Sequence, residues 1–175
     1  MSLPDDDPGW GLGALLAGES ALLTMRQVWL AFCNALVVFF IVLSVMELES
    51  DDPPFSPEAG AIGLLALGFV LVFVSWQLLR DLPCANIGAL LGGYRNRFFV
   101  RLAFAEISAL LGFAAALVTG SLLPYLGGVV PTIVGFARVA PTRANLQAED
   151  EALRDRSCPH SLSALLRDAR FGTGG

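Results

Sequence analysis

Apolar residues in this chain come in long unbroken runs separated by short polar stretches, without the alternation of a half-buried strand. Crossing the hydrocarbon core of a bilayer takes about 20 mostly apolar helical residues. Residues 28–46, bounded by Arg26 and Glu47, satisfy that length. So do residues 59–79, closed by Arg80 and Asp81, with Trp76 where an interfacial aromatic belongs. A third run covers residues 102–123 and is preceded by Arg95, Arg97 and Arg101. The fourth, residues 125–140, is shorter and carries Pro131 and Arg138. Gly120, Ser121 and Pro124 predict a tight turn, which makes the last two runs an antiparallel hairpin. The pattern therefore predicts an all-α integral membrane bundle of four transmembrane helices in two helical hairpins, with short cytoplasmic amphipathic helices. Three segments follow: a cytoplasmic or interfacial N-terminal segment over residues 1–27, the four-helix transmembrane domain over 28–140, and a cytoplasmic C-terminal tail over 141–175.

The flanks carry weaker patterns. Residues 10–27 mix leucines with glycines and Glu19 and predict an interfacial helix leading into the first span. Thr142, after Pro141, predicts an N-cap for a helix running to about Arg156. A second short helix is expected from near Ser161 to before Gly172, ahead of a frayed Gly-Thr-Gly-Gly end.

Charge sets an orientation. Glu47, Glu49, Asp51, Asp52 and Glu58 lie between the first two runs with no cation among them. Arg80, Arg95, Arg97 and Arg101 lie between the second and third, and Arg143, Arg154, Arg156, Arg167 and Arg170 follow the fourth. Cationic loops stay cytoplasmic, so both termini are expected in the cytoplasm. The first 25 residues hold Asp5, Asp6, Asp7 and Glu19 but no arginine, the reverse of a basic signal-peptide start, so no cleaved leader is expected.

Composition narrows the function. Hydrophobic residues make up 55% and charged residues 15%, against about 25% charged in soluble domains. A disordered chain, a disulfide scaffold and an ordinary soluble enzyme are excluded. The net charge of −5 makes nucleic acid a poor partner, because that affinity begins with neutralising phosphates. Cys33, Cys84 and Cys158 are widely spaced and His160 is the single histidine, so Cys158-Pro-His160 is at most half a metal site. Asp155, His160, Ser161 and Ser163 fall together in the polar tail, but without an implied pocket or oxyanion scaffold. No GxGxxG or phosphate-loop motif occurs. The expectation is a non-enzymatic protein without cofactor or metal.

Lipid tails are as apolar as leucine, so helices in a bilayer associate by close packing and interhelical polar contacts. Ser108, Gly112, Ala116 and Gly120 recur every four residues along the third run, and Gly60, Gly63, Gly68, Gly127, Gly128 and Gly135 supply similar access on its neighbours. Asn34, inside the first run, is able to hydrogen-bond across helices. Glu106 is the ionisable group well inside a span, and such residues normally face a bundle interior or a pathway. About sixteen residues separate it from the hairpin turn, as they do Arg138 on the other arm, so equal depth suggests a Glu106–Arg138 ion pair, structural or proton-binding.

The stretch Arg101-Leu-Ala-Phe-Ala-Glu106-Ile-Ser-Ala-Leu-Leu-Gly112-Phe, followed by Arg138-Val-Ala-Pro141-Thr142, resembles an uncharacterised family of small bacterial four-helix membrane proteins. That family shares an R-x-x-x-x-E-x-x-x-L-x-G-like third span and is itself loosely similar to subunit c of rotary ATP synthases. The likeness covers mostly residues 95–145 and implies helical hairpins, a carboxylate in the membrane and a place in a bacterial cytoplasmic (inner) membrane. The chain departs from subunit c in placing its carboxylate in the first helix of a hairpin and in lacking an Arg-Gln-Pro loop. The expectation is a small accessory, assembly or stabilising subunit of a larger membrane complex. Its partners would be the lipid bilayer and other membrane subunits or further copies of itself, with no nucleic acid. A proton- or ion-binding oligomer resembling subunit c, using Glu106, is the alternative.

Overall fold

A computed structural model describes residues 20–46, 55–78 and 81–168. Among the described residues there are six helices and no strands: α1 (Ala21–Val45), α2 (Pro57–Leu78), α3 (Ile87–Thr119), α4 (Leu123–Val139), α5 (Arg143–Asp155) and α6 (Leu162–Asp168). Three of them, α1, α2 and α3, are long and apolar enough to cross a membrane. A fourth span is counted only if α4 and α5, bent by 62° at the break between them, are taken as one. Among the acidic residues before α2, Glu47, Glu49, Asp51 and Asp52 lie outside the described residues, as do residues 10–19 of the expected interfacial helix and the Gly-Thr-Gly-Gly end. Residues 21–27 form no separate interfacial helix; they are the first turns of α1, capped by the Ser20 hydroxyl, which accepts from the Leu23 amide at 3.3 Å.

The largest departure is α3. The sequence sets residues 80–101 between two spans, yet the helix starts at Ile87, where the Asn86 side chain accepts from the Ala89 amide at 2.8 Å. At 1.5 Å per residue its 33 residues extend about 50 Å, well beyond the ~30 Å of a hydrocarbon core. The helix ends at Gly120, whose φ of 65° is the left-handed conformation a glycine adopts without strain, and the amides of Gly120 and Ser121 both return to the Ala116 carbonyl.

Helices α2, α3 and α4 meet backbone to backbone. A Cβ at Gly112 would stand 2.8 Å from the Pro124 carbonyl oxygen, one at Gly128 would run into the Ser108 carbonyl, and one at Gly127 into that of Ala61. Ser108 and Ala116 are fully buried in the same contact. The four-residue stripe of α3 is thus turned inward, onto its own hairpin partner. Hydroxyls fasten what the glycines bring together: Thr132 donates to the Ala105 carbonyl at 2.7 Å, and Ser108 to that of Leu64 at 3.3 Å. Helix α1 lies beside this unit, held by the Tyr125 hydroxyl, which donates to the Leu36 carbonyl at 2.6 Å, by an edge contact of Phe32 with Phe136 and by a tilted contact of Phe39 with Phe113.

At the arginine-rich end the tail folds back onto the bundle. Pro141 breaks the chain direction and Thr142 caps α5 by accepting from the Asn145 amide at 3.3 Å. Leu146, Leu153, Leu162 and Leu166 then join Ala21, Leu22, Met25, Leu90 and Tyr94 in one buried cluster. The first turns of α1 and the extension of α3 are therefore parts of a cap with α5 and α6.

Candidate functional site

Polar side chains in the interior concentrate in this cap. Arg97, on the extension of α3, is buried and pairs with Glu149 of α5 at 2.5 Å, with the Tyr94 ring 5.6 Å from its guanidinium carbon. One helical turn on, Arg101 lies 4.4 Å over the indole of Trp76 and reaches the Trp76 carbonyl at 3.4 Å. Arg26 is fully buried and donates from Nε to the Pro141 carbonyl at 3.4 Å, while the Trp29 indole nitrogen donates to the Phe136 carbonyl at 3.0 Å. Asn145 gives its amide nitrogen to the carbonyls of Ala137, Arg138 and Ala140, the last at 2.8 Å, which satisfies the open carbonyls at the end of α4. The space left among Tyr94, Arg97, Arg101, Arg138, Asn145 and Glu149 is about 20 Å³. That holds about one water molecule and no organic substrate.

Asp150 is the second centre. Its Oδ1 accepts from the amides of Leu162 at 2.7 Å and Ser163 at 3.3 Å, and its Oδ2 from the hydroxyls of Ser163 at 2.5 Å and Ser161 at 3.1 Å. A buried carboxylate from α5 therefore caps the first turn of α6. Ser161 and Ser163, singled out with Asp155 and His160 for possible nucleophilic chemistry, have their hydroxyls on this carboxylate and on each other, not on the imidazole. Asp150→Ala is expected to cost about 1–2 kcal/mol, the loss of a good helix cap. Hydrogen exchange of the amides of residues 162–168 should accelerate, with Asp150→Asn intermediate; unchanged exchange in the alanine variant would remove the capping role.

Two of the cysteines also meet in the cap. Cys84, just before α3, and Cys158, between α5 and α6, form a disulfide with their Cα atoms 5.8 Å apart. Gly93 allows the approach, because a Cβ there would stand 2.7 Å from the Pro83 ring. The half-site Cys158-Pro-His160 thus has its thiol engaged, and Cys33 is the free cysteine among the described residues. The described residues contain no group of three or more His, Cys, Asp or Glu side chains able to hold a metal ion. Asp81 and Arg156 pair at 2.6 Å beside the disulfide.

The remaining residues singled out from sequence divide. Glu106 and Arg138 are not joined as an ion pair; the Arg138 guanidinium lies 5.4 Å over the Trp76 ring, beside Arg101. Depth alone suggested the pair, and azimuth forbids it. Ala105, Ser108 and Gly112 form the face of α3 that meets Gly128, Thr132 and Gly135 of α4. Glu106 is turned about 100° away from Ala105 and is half-buried. Asn34 is exposed on α1 and faces away from the bundle. A lateral cleft of about 510 Å³ opens between α1 and α4, lined by Trp29, Cys33, Leu36, Val129, Phe136 and other apolar side chains. The tail capping by Asp150 and the cation stack on Trp76 had no sequence signal, since both depend on which elements the fold brings together.

No protein-family model, no curated protein and no solved structure matches this chain.

Proposed function

We propose that the chain is a non-enzymatic integral membrane protein, a small accessory subunit that helps assemble or stabilise a larger membrane complex. Four spans, α1 to α4, cross a bacterial inner membrane with both termini in the cytoplasm. The orientation rests on charge: Arg26, Arg97, Arg101, Arg138, Arg143 and Arg156 belong to one end of the bundle, the end that positive-inside sorting keeps in the cytosol. Helix α4 has 17 residues and reaches about 26 Å, enough to cross if Arg138 extends toward the interface.

The observation that carries the functional reading is the use made of the interior polar groups. Ser75, Ser108, Tyr125, Thr132 and Asp150 all bond to backbone or cap groups of the same chain, as in a scaffold, while the sides present Val37, Ile62, Phe73 and Ile133 more than half exposed. Such sides meet lipid or the helices of other subunits. Extraction in mild detergent followed by native electrophoresis tests the reading. Migration with other membrane chains or copies supports it, and a monomer without partners contradicts it.

One observation favours the alternative, an ion-binding oligomer like subunit c: among the described residues no ion pair holds Glu106. Carbodiimide labelling of Glu106 near neutral pH supports that alternative; an unreactive carboxyl dismisses it.

A further inference from the structure

Asn34 is where the lipid-facing surface of α1 breaks its own rule. It is exposed in the fourteenth position of a 25-residue helix, and among the described residues its carboxamide has no hydrogen-bond partner. Eight residues, about 12 Å, separate it from Arg26, so it lies near the middle of a ~30 Å core. An unpaired carboxamide at that depth is costly in hydrocarbon and is relieved by a partner helix.

The residues around it define that partner's path. Leu30, Val37 and Ile41 are 37%, 54% and 53% exposed, and with Asn34 they follow the alternating four- and three-residue spacing of a helix-pairing seam. The bundle lies on another side of α1, where Leu36 and Leu43 are buried. Among the described residues nothing covers the seam, and Val37 also borders the cleft between α1 and α4.

We infer that this face of α1 pairs with α1 of a second copy of the chain, in parallel, with the two Asn34 carboxamides bonded across a twofold axis along the membrane normal. The occupant follows from chemistry. A carboxamide both donates and accepts, so it complements itself. Copies inserted by the same charge rule share one orientation, which places each Asn34 opposite its equivalent at equal depth. A polar residue at a core position of a parallel helix pair also fixes its register.

The inference rests on the membrane reading above, and its test separates the two. Single cysteines at positions 30, 37, 41 and 42 are introduced as Leu30→Cys, Val37→Cys, Ile41→Cys and Val42→Cys in a background with Cys33→Ala, Cys84→Ala and Cys158→Ala, and membranes are oxidised before non-reducing electrophoresis. Val42 is 39% exposed but lies about 100° around the helix from Ile41. Cross-linked dimer is expected at 30, 37 and 41 and not at 42, and Asn34→Leu should lower the dimer fraction about three- to tenfold at 37. Equal cross-linking at 42, no cross-linking from membrane-resident protein, or a dimer fraction indifferent to Asn34→Leu overturns the pairing. Protein recovered in the soluble fraction overturns the membrane reading with it.

Discussion

Gly128→Val is expected to destabilise the bundle by about 3 kcal/mol, the upper end of the usual cost of overpacking. The reason is the nature of the obstacle. A Cβ at position 128 runs into the carbonyl oxygen of Ser108, with the Ala109 Cα 3.3 Å away behind it. Both belong to the backbone of α3, so no side chain can swing aside, and relief requires α3 and α4 to separate. Separation would also break the Thr132 to Ala105 hydrogen bond one turn along. The control is Gly92→Ala, where nothing stands within 4 Å of the added carbon and helix propensity favours alanine by up to about 1 kcal/mol. Thermal or denaturant melting in mild detergent reads both. A Gly128→Val protein as stable as Gly92→Ala would show that α3 and α4 do not meet at this point.

Glu149→Leu is expected to cost about 3 kcal/mol and to loosen the cap, in keeping with the penalty for removing one partner of a buried ion pair. The two halves of the pair are unequal. Arg97 is 6% exposed and Glu149 26%, so a Glu149 left behind reaches water while Arg97 does not. Arg97→Leu should therefore cost less than Glu149→Leu, the reverse of what the size of the side chains alone suggests. Proteolysis by trypsin at Arg143 and Arg154, with the Cys84–Cys158 bond reduced, reports cap opening directly. Equal cleavage in the two variants would mean that the pair lies at a wetter surface than its packing indicates.

The parts of the fold carried by local pattern were legible in the sequence. Apolar runs place α1, α2 and α4 within a few residues of their ends, apart from the first turns of α1, and Thr142 marks the start of α5 because a capping hydroxyl is a local device. The extension of α3 was not legible. Arg95, Arg97 and Arg101 look like the charges of a loop, and only the arrival of Glu149 and of the Trp76 ring explains how two of them are buried. Arg26 likewise looks like a boundary residue and is fully buried, with its Nε on the Pro141 carbonyl where the chain turns into the tail. The Glu106–Arg138 expectation fails for a related reason: counting residues from a turn gives height along a helix, whereas contact also needs the right face. Cys84 and Cys158 are 74 residues apart, a pairing that spacing cannot supply. Among the candidate residues, the small ones were the most readable, because close backbone approach leaves only Gly, Ala and Ser possible.

The same disulfide bears on orientation. It ties two segments that the proposed orientation places together in the cytosol, where thiols are normally kept reduced. In cells the pair is then expected as free thiols that close on exposure to an oxidant.

Fusion of reporters to the C-terminus of the full chain tests the central claim most directly, with membrane fractionation of the same cells. A cytoplasmic fluorescent reporter should be bright, a periplasmic phosphatase reporter silent, and both fusions should sediment with membranes until detergent is added. An active phosphatase fusion, or a chain that stays in solution without detergent, would contradict a membrane bundle whose arginine-rich cap lies in the cytosol.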